Sequence, residues 1–363
     1  MQFITTKTQI ASAVKSASSV APSKSTMPIV TNLLMRKVGD TLTFTASDLE
    51  IEMHYRVAID GDDFAVTVPA KKFAQIISAM QADAKISMQL TDGKLLVKAG
   101  KSRFNLATLP ADDYPDLPEY TAHDAVKFQI SQRALLSALG SVMHAIAAQD
   151  IRVYLNGALF ESARTLTIVG TDGHRMAAFD TGEQVAQMRR ILPRKACEEL
   201  LRQLKSVDDV VSVEFNDRYA VFDFGNLVLK SKLIDGNFPD WSRVLPKNNN
   251  NLIVADRQSI IDAINRTAIL ANDRLNGMQV KVAGNMLHLA CKNADGEESS
   301  DEIEISHDGS EIEAGFNFQY LRDALSAIDG DVANIAMSDD GKSAALISGN
   351  SGNLRCVVMP MRV

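Results

Sequence analysis

The stretch VGTDGHRMAAFD at residues 169–180 sets Asp172, Gly173, His174 and Arg175 side by side. A carboxylate beside an imidazole suits general acid–base work, and a guanidinium is a natural anion ligand. Such chemistry needs further partners at fixed spacing. The six histidines, at 54, 123, 144, 174, 288 and 307, form no HExxH or other metal spacing, and no GxSxG occurs. DGKS at 340–343 resembles the end of a phosphate loop, but Ala336 stands where the first glycine belongs. It reads as a hairpin turn. ADGEESSDEIE at 294–304 is acidic enough for calcium but lacks the EF-hand order, so it reads as a solvated charged loop. Three well-separated cysteines and no CxxC argue against a disulfide framework and a zinc site. No metal or cofactor is expected.

The elements that must position these residues come from a threefold repeat. TNLLMRKVGDTLTFTASDLEIEMHYRV at 31–57 alternates around a Gly-Asp turn, a hairpin with Asp48 at the following turn. LNGALFESARTLTIVGTDGHRMAAFD at 155–180 repeats it: Asn156 and Asp172 stand 124 residues after Asn32 and Asp48. A third copy begins near Asn276. In each copy a strand then runs into an amphipathic helix, at 68–80, 192–204 and 315–328, and a helix opens each copy. Ile10, Val14 and Ala17 share one face of the first opening helix. Leu135, Leu139, Val142 and Ile146 share a face behind a Ser131 cap, and Ile260, Ile264 and Ala268 behind an Asp256 cap. The polar stretches near 122 and 250 divide the chain into domains 1–122, 123–250 and 251–363. Each is α+β, with two helices against antiparallel strands.

The Asp of TDGHR recurs near the turn of every copy, which suits a turn residue bonding its own backbone. His174, Arg175 and Met176 belong to the second copy alone. Either they form a solvated hairpin end, or they line a cleft for a peptide, where methionine adapts to varied apolar partners and arginine anchors.

The net charge of −7 argues against nucleic acid unless charge is unevenly spread. It is: the helical segments hold fourteen cations against five acids, while acids crowd strands and loops. Helices facing one way would form a basic lining that attracts phosphates without reading bases. No apolar run approaches eighteen residues, and the N-terminus has no signal-like pattern, so a cytoplasmic protein without membrane contact is expected.

TLPADDYPDL, QDIRVYLNG, TDGHRMA, KLIDGNFPDWSRVLPKN, RTAILAN, GFNFQYL and VMPMRV together resemble the bacterial DNA polymerase III beta subunit, or sliding-clamp, family, from end to end. The resemblance implies a non-catalytic, ring-shaped head-to-tail homodimer of six similar domains that encircles double-stranded DNA and confers processivity. It implies as partners the polymerase III catalytic subunit, a clamp loader, and other polymerases and repair proteins carrying short docking peptides. By resemblance, the peptide pocket falls on Leu155, Thr171, Gly173, His174, Arg175, Met176, Pro239, Arg243, Val244, Asn317, Tyr320 and Val357. The tail adds Met359, Pro360, Met361, Arg362 and Val363. DNA contacts fall on Lys24, Gln149, Arg152 and Tyr154. The subunit interface pairs Lys72, Arg103, Phe104 and Leu106 with Ile269, Leu270 and the acids Glu297, Glu298, Glu302 and Glu304. Met176 and Val363 stand where leucine is familiar, which predicts altered peptide preference. Val153 replaces an aromatic found in some relatives. The alternatives are a hydrolase using Asp172 and His174, and an acidic three-domain scaffold that does not encircle DNA.

Overall fold

The computed structural model describes residues 2–91, 93–115, 125–272 and 276–362. Val363, Asp273, Arg274 and the domain boundary near 122 lie outside them. The chain divides into two compact units, Met1–Gln132 with Glu198–Leu233, and Arg133–Cys197 with Ile234–Val363.

The first unit contains β1 (Gln2–Thr6), α1 (Lys7–Val20), β2 (Asn32–Val38), β3 (Thr41–Ser47), β4 (Ile51–Ala58), β5 (Phe64–Pro69) and α2 (Ala70–Ala79). It continues with β6 (Lys85–Thr91), β7 (Lys94–Ala99), β8 (Ser102–Ala107) and β9 (Val126–Ser131). After an interval in the chain come β14 (Val210–Phe215), β15 (Tyr219–Asp223) and β16 (Leu227–Lys232). These form two antiparallel sheets, in the orders β1-β6-β7-β8 and β5-β2-β3-β4-β16-β15-β14-β9. The longer sheet joins strands of the first and second copies through β4 and β16, where Met53 faces Leu229.

The second unit contains α3 (Gln132–Val142), β10 (Gly157–Ser162), β11 (Thr165–Thr171), β12 (Arg175–Gln184) and β13 (Met188–Pro193), and α4 (Arg194–Gln203) starts in it. Then follow β17 (Asn251–Asp256), α5 (Arg257–Thr267), β18 (Gly277–Ala283), β19 (Met286–Lys292), β20 (Glu298–Glu304) and β21 (Ile312–Asn317). Last come α6 (Phe318–Ala327), β22 (Val332–Met337), β23 (Ala345–Ser348) and β24 (Leu354–Val358). Its sheets run β13-β10-β11-β12-β24-β23-β22-β17 and β20-β19-β18-β21. The boundary expected near 250 immediately precedes β17. The three copies thus share sheets, because a repeat's outer strand satisfies its free edge by pairing with the next repeat.

The helices form where the spacing predicts. α1 buries Ile10, Val14 and Ala17, α3 buries Leu135, Leu139 and Val142, and α5 buries Ile260 and Ile264. Thr6 and Gln9 cap α1 reciprocally, and Asp256 caps α5 by accepting from the Ser259 amide at 2.7 Å. Ala268 lies beyond the end of α5, in a 3-10 turn at Ala268–Leu270.

Three expectations change. ADGEESSDEIE is not a loop: its second half is β20, an edge strand whose Glu298 pairs with Lys292 of β19 at 2.5 Å. Its acids occupy both inward and outward positions, which hid the alternation. In the third copy the turn is held by Asn293, not by an aspartate. The Asn293 Oδ1 accepts from the Asp295 and Glu297 amides at 3.0 and 2.9 Å. Several helix cations are engaged with protein carbonyls. The Lys7 ammonium donates to Ser78 O at 2.8 Å, Lys71 to Ser18 O at 3.2 Å, Arg194 to Ile146 O at 2.5 Å and Arg257 to Ile328 O at 3.2 Å. Each stands at the start of one helix and satisfies carbonyls at or just beyond the end of another helical segment. DGKS is the β22–β23 turn, with Gly341 at φ +63° and the Asp340 carboxylate accepting from the Lys342 amide.

Candidate functional site

The TDGHR turn joins β11 to β12. Asp172 Oδ1 accepts from the amides of His174 and Arg175 at 2.8 and 3.0 Å, as Asp48 Oδ1 does from Glu50 and Ile51 at 2.9 and 2.7 Å. The carboxylate that suggested catalysis is therefore occupied by its own turn. β12 pairs antiparallel with β24, setting Arg175 opposite Val358 and Met176 opposite Val357. The Met359 amide then donates to His174 O at 2.9 Å. TDGHRM and Val357–Met359, far apart in sequence, thus lie side by side.

Arg175 centres a charged cluster. Its Nε donates to Asp172 Oδ2 at 3.0 Å, its Nη1 to Asp323 Oδ2 at 2.6 Å, and its guanidinium lies 4.3 Å from the centre of the Tyr320 ring. The planar, permanently charged group can serve all three partners at once. His144, just after α3, is close by. Burial, and then the Arg175 charge, push its pKa down to about 4, with Asp323 and Asp172 opposing. His144 is thus held neutral at physiological pH, and His174 is solvent-exposed. Among the described residues no group of His, Cys, Asp or Glu could hold a metal ion.

Beside the turn is a cleft of about 110 Å³. Its buried lining residues Met176, Val357 and Phe238 belong to one apolar cluster with Leu159, Val169 and Ala178, and buried Leu155 also lines it. Thr171, Gly173, His174, Arg175, Met359, Pro239, Trp241 and Val244 are further lining residues. Arg152 and Tyr154, expected as DNA contacts, also line it. Arg152 donates to Asp172 O at 3.0 Å and pairs with Asp150, whose carboxyl it holds down at about 2. Gly173 makes this approach possible. It has φ +90°, and a Cβ there would stand 2.9 Å from Arg152 Nη1. A larger depression of about 470 Å³ over β18–β20 is more polar, and its Lys292 and Glu298 pair with each other.

Not every expected pocket residue lines the cleft. Asn317 caps α6, accepting from the Gln319 and Tyr320 amides at 2.9 and 3.3 Å. Arg243 is exposed and pairs with Asp240 at 2.9 Å. Tyr320 acts beneath Arg175, Pro360 is half-buried, the Met361 amide bonds Gly315 O at 2.8 Å, and Arg362 is exposed. Phe238 and Trp241 are cleft residues that the sequence reading passed over as part of a proline turn, although Trp241 is the chain's single tryptophan.

Lys24, exposed after α1, is in the first unit, whereas Gln149, exposed with φ +59°, Arg152 and Tyr154 are in the second. Of the expected interface residues, Lys72 is exposed on α2, and Arg103, Phe104 and Leu106 are on β8, an outermost strand. Leu106 is buried in its own sheet rather than presented outward. Ile269 is 78 % exposed, Leu270 is half-buried, Glu297 ends the Asn293 turn, and Glu298, Glu302 and Glu304 stand exposed on β20.

The 124-residue offset identifies the matching place in the first unit, and its chemistry differs. Val169, Ala178 and Met176 correspond to Thr45, His54 and Glu52. There Thr45 Oγ1 meets His54 Nδ1 at 2.9 Å, and His54 Nε2 meets the buried Glu52 at 2.7 Å. Phe238 corresponds to Tyr114, whose buried hydroxyl accepts from the Ser47 amide at 3.0 Å and donates to Asn32 O at 3.3 Å. Gly173 corresponds to Leu49, which packs on the Tyr114 cluster. A polar network and a side chain occupy the first unit where the second has an apolar cleft.

Comparison with known proteins agrees with this architecture. The family profile of the DNA polymerase III beta subunit N-terminal domain matches residues 1–118, that of its central domain residues 129–240, and that of its C-terminal domain residues 242–362. The beta sliding clamp of Pseudomonas putida is 36% identical over 369 residues, covering all of both chains. The crystal structure of the DNA polymerase III subunit beta from Pseudomonas aeruginosa superposes with a TM-score of 0.95 at 35% identity, again covering both chains fully. A Pseudomonas aeruginosa sliding clamp bound to griselimycin gives 0.96 at 35% identity and the same coverage. The chain belongs to the DNA polymerase III beta subunit family, the beta sliding clamps.

Proposed function

We propose that this protein is a DNA sliding clamp: it encircles duplex DNA without reading sequence and tethers the replicative polymerase, so that dissociation from the primer end becomes rebinding at high local concentration. It acts as a processivity factor and not as a catalyst. Two copies join head to tail, β8 of one against β20 of the other. Both are outermost strands of four-stranded sheets, and their union makes an eight-stranded sheet like the two already within each chain. Lys72 and Arg103 face Glu298, Glu302 and Glu304 across it, and exposed Ile269 and neighbouring Leu270 are covered. Leu106 contributes through its strand's backbone edge. Lys24, Gln149, Arg152 and Tyr154 touch the passing duplex, and the affinity falls with salt.

The apolar cleft beside TDGHRM takes short peptides of the polymerase III catalytic subunit, the clamp loader and other polymerases and repair proteins. The pairing of β12 with β24, which brings Val357 and Met359 to the cleft beside TDGHRM, is the observation that supports this reading. Among the described residues no helix is long and apolar enough to cross a membrane, and the protein works in the cytoplasm at replication forks. The test is removal of residues 359–363. Binding of a peptide from the clamp-binding motif of the polymerase III catalytic subunit is expected to disappear while the dimer persists by gel filtration. Retained peptide affinity, or loss of the dimer alone, overturns the assignment.

A further inference from the structure

We propose that Glu161 and Arg189 are positioning residues for peptide docking, holding the cleft wall formed by Phe238, Pro239 and Trp241; the proposal rests on the docking function above. That wall lies in the segment after Leu233, which forms no regular strand; it has an isolated bridge from Ile234 to Ile191 and a 3-10 turn at Trp241–Arg243. Between them, Phe238 and Pro239 lie outside any ladder, so their carbonyls need other donors. Glu161 of β10 and Arg189 of β13 face each other across paired strands. One Glu161 oxygen accepts from Arg189 Nη1, and the other accepts from the Trp241 indole N–H at 2.5 Å. Arg189 Nη2 donates to Phe238 O and Pro239 O at 2.8 and 3.1 Å. A single carboxylate–guanidinium pair thus holds the wall's backbone at two carbonyls and its indole at one N–H. The guanidinium of Arg355 lies over the same indole, 5.4 Å from the ring centre.

Neither Glu161 nor Arg189 lines the cleft, so their effect passes through the wall. If the pair is broken, the indole loses its acceptor and the two carbonyls lose their donor, and the ring no longer presents one fixed face to an incoming apolar side chain. Lysine at 189 cannot replace the arginine, because one ammonium does not span a carboxylate and two carbonyls in fixed directions.

Trp241 is the chain's only tryptophan, so its emission reports the wall directly. The experiment uses the full-length protein and a tryptophan-free peptide from the clamp-binding motif of the polymerase III catalytic subunit. Glu161→Ala and Arg189→Ala are each expected to weaken peptide binding about tenfold and to shift the Trp241 emission to the red, with melting temperature and dimer retained. The double variant is expected to lose little more than either single one, because both act through one wall. Arg189→Lys is expected to behave like Arg189→Ala. Wild-type binding with both alanine variants within about twofold of it and emission unshifted would overturn the positioning roles while leaving the docking function standing. Rescue by Arg189→Lys would contradict the bidentate role of the guanidinium. A wild-type protein that does not bind the peptide would instead overturn the docking function on which the proposal rests.

Discussion

Replacing Gly173 with alanine separates the turn's fold from its function. At φ +90° an added methyl carries a backbone cost of about 1–2 kcal/mol. The Cβ would stand 2.9 and 3.0 Å from the two terminal nitrogens of Arg152, so the guanidinium must leave its 3.0 Å bond to Asp172 O. That bond is solvent-exposed and adds little. The displaced group is the far end of a flexible chain, so no backbone has to move. Leu49 provides an internal control: at φ +75° it carries a full side chain in the corresponding turn of the first unit. The total is therefore about 2 kcal/mol, a loss of several degrees in melting temperature for a folded protein. The cleft suffers more, because Gly173 and Arg152 both line it and both change. Peptide affinity by titration calorimetry is expected to fall about tenfold, beyond what a small stability loss produces. A variant that fails to fold would refute the comparison with Leu49, and unchanged peptide affinity would refute the place of Gly173 in the peptide cleft.

Two further outcomes follow from the same cluster. His144 is held neutral with a folded pKa of about 4, below its ordinary 6.5, so the unfolded chain takes up its proton first as pH falls. Stability is then full above about pH 6.5 and declines toward pH 4, by at most about 3 kcal/mol. His144→Gln is expected to flatten the urea midpoint between pH 7.5 and 5, and an unchanged slope would contradict this. Asp172→Asn retains an acceptor for the two turn amides but loses the Arg175 ion pair, whereas Asp172→Ala loses both. Thermal melts are expected to rank wild type above Asn and Asn above Ala, the last step costing about 1–2 kcal/mol. Equal stability of Asn and Ala would show that the turn bonds contribute nothing.

The parts of this architecture that depend on neighbours in sequence were legible. The Asp172 and Asp48 turns are local side-chain-to-backbone bonds, and the helix stripes of α1, α3 and α5 are local periodicities. Comparing copies within the chain gives Asp172 a turn role, and its bonds to the His174 and Arg175 amides occupy the carboxylate. What depended on distant partners was not legible. Nothing near residue 241 indicates that its indole bonds Glu161, and nothing near Lys7, Arg194 or Arg257 indicates that the cation is spent on another element's carbonyls. Asn317 carried a pocket role by resemblance, whereas its position before α6 is that of an ordinary cap. β20 was hidden because solubility at an exposed edge is achieved with charge, and charge erased the alternation that marks a strand. The 124-residue offset sets Thr45, His54 and Glu52 against Val169, Ala178 and Met176, which distinguishes an apolar face from a polar one in sequence alone.

Encirclement is tested most directly by topology. The protein is placed on a nicked circular duplex by a clamp loader with ATP, isolated by gel filtration, and the circle is then cut once with a restriction enzyme. A sliding clamp stays with the intact circle through the column and runs off after the cut, so the protein should leave the DNA fraction on linearisation and not before. Protein that remains with the linear DNA, with its ends unblocked, would show direct binding and contradict the ring.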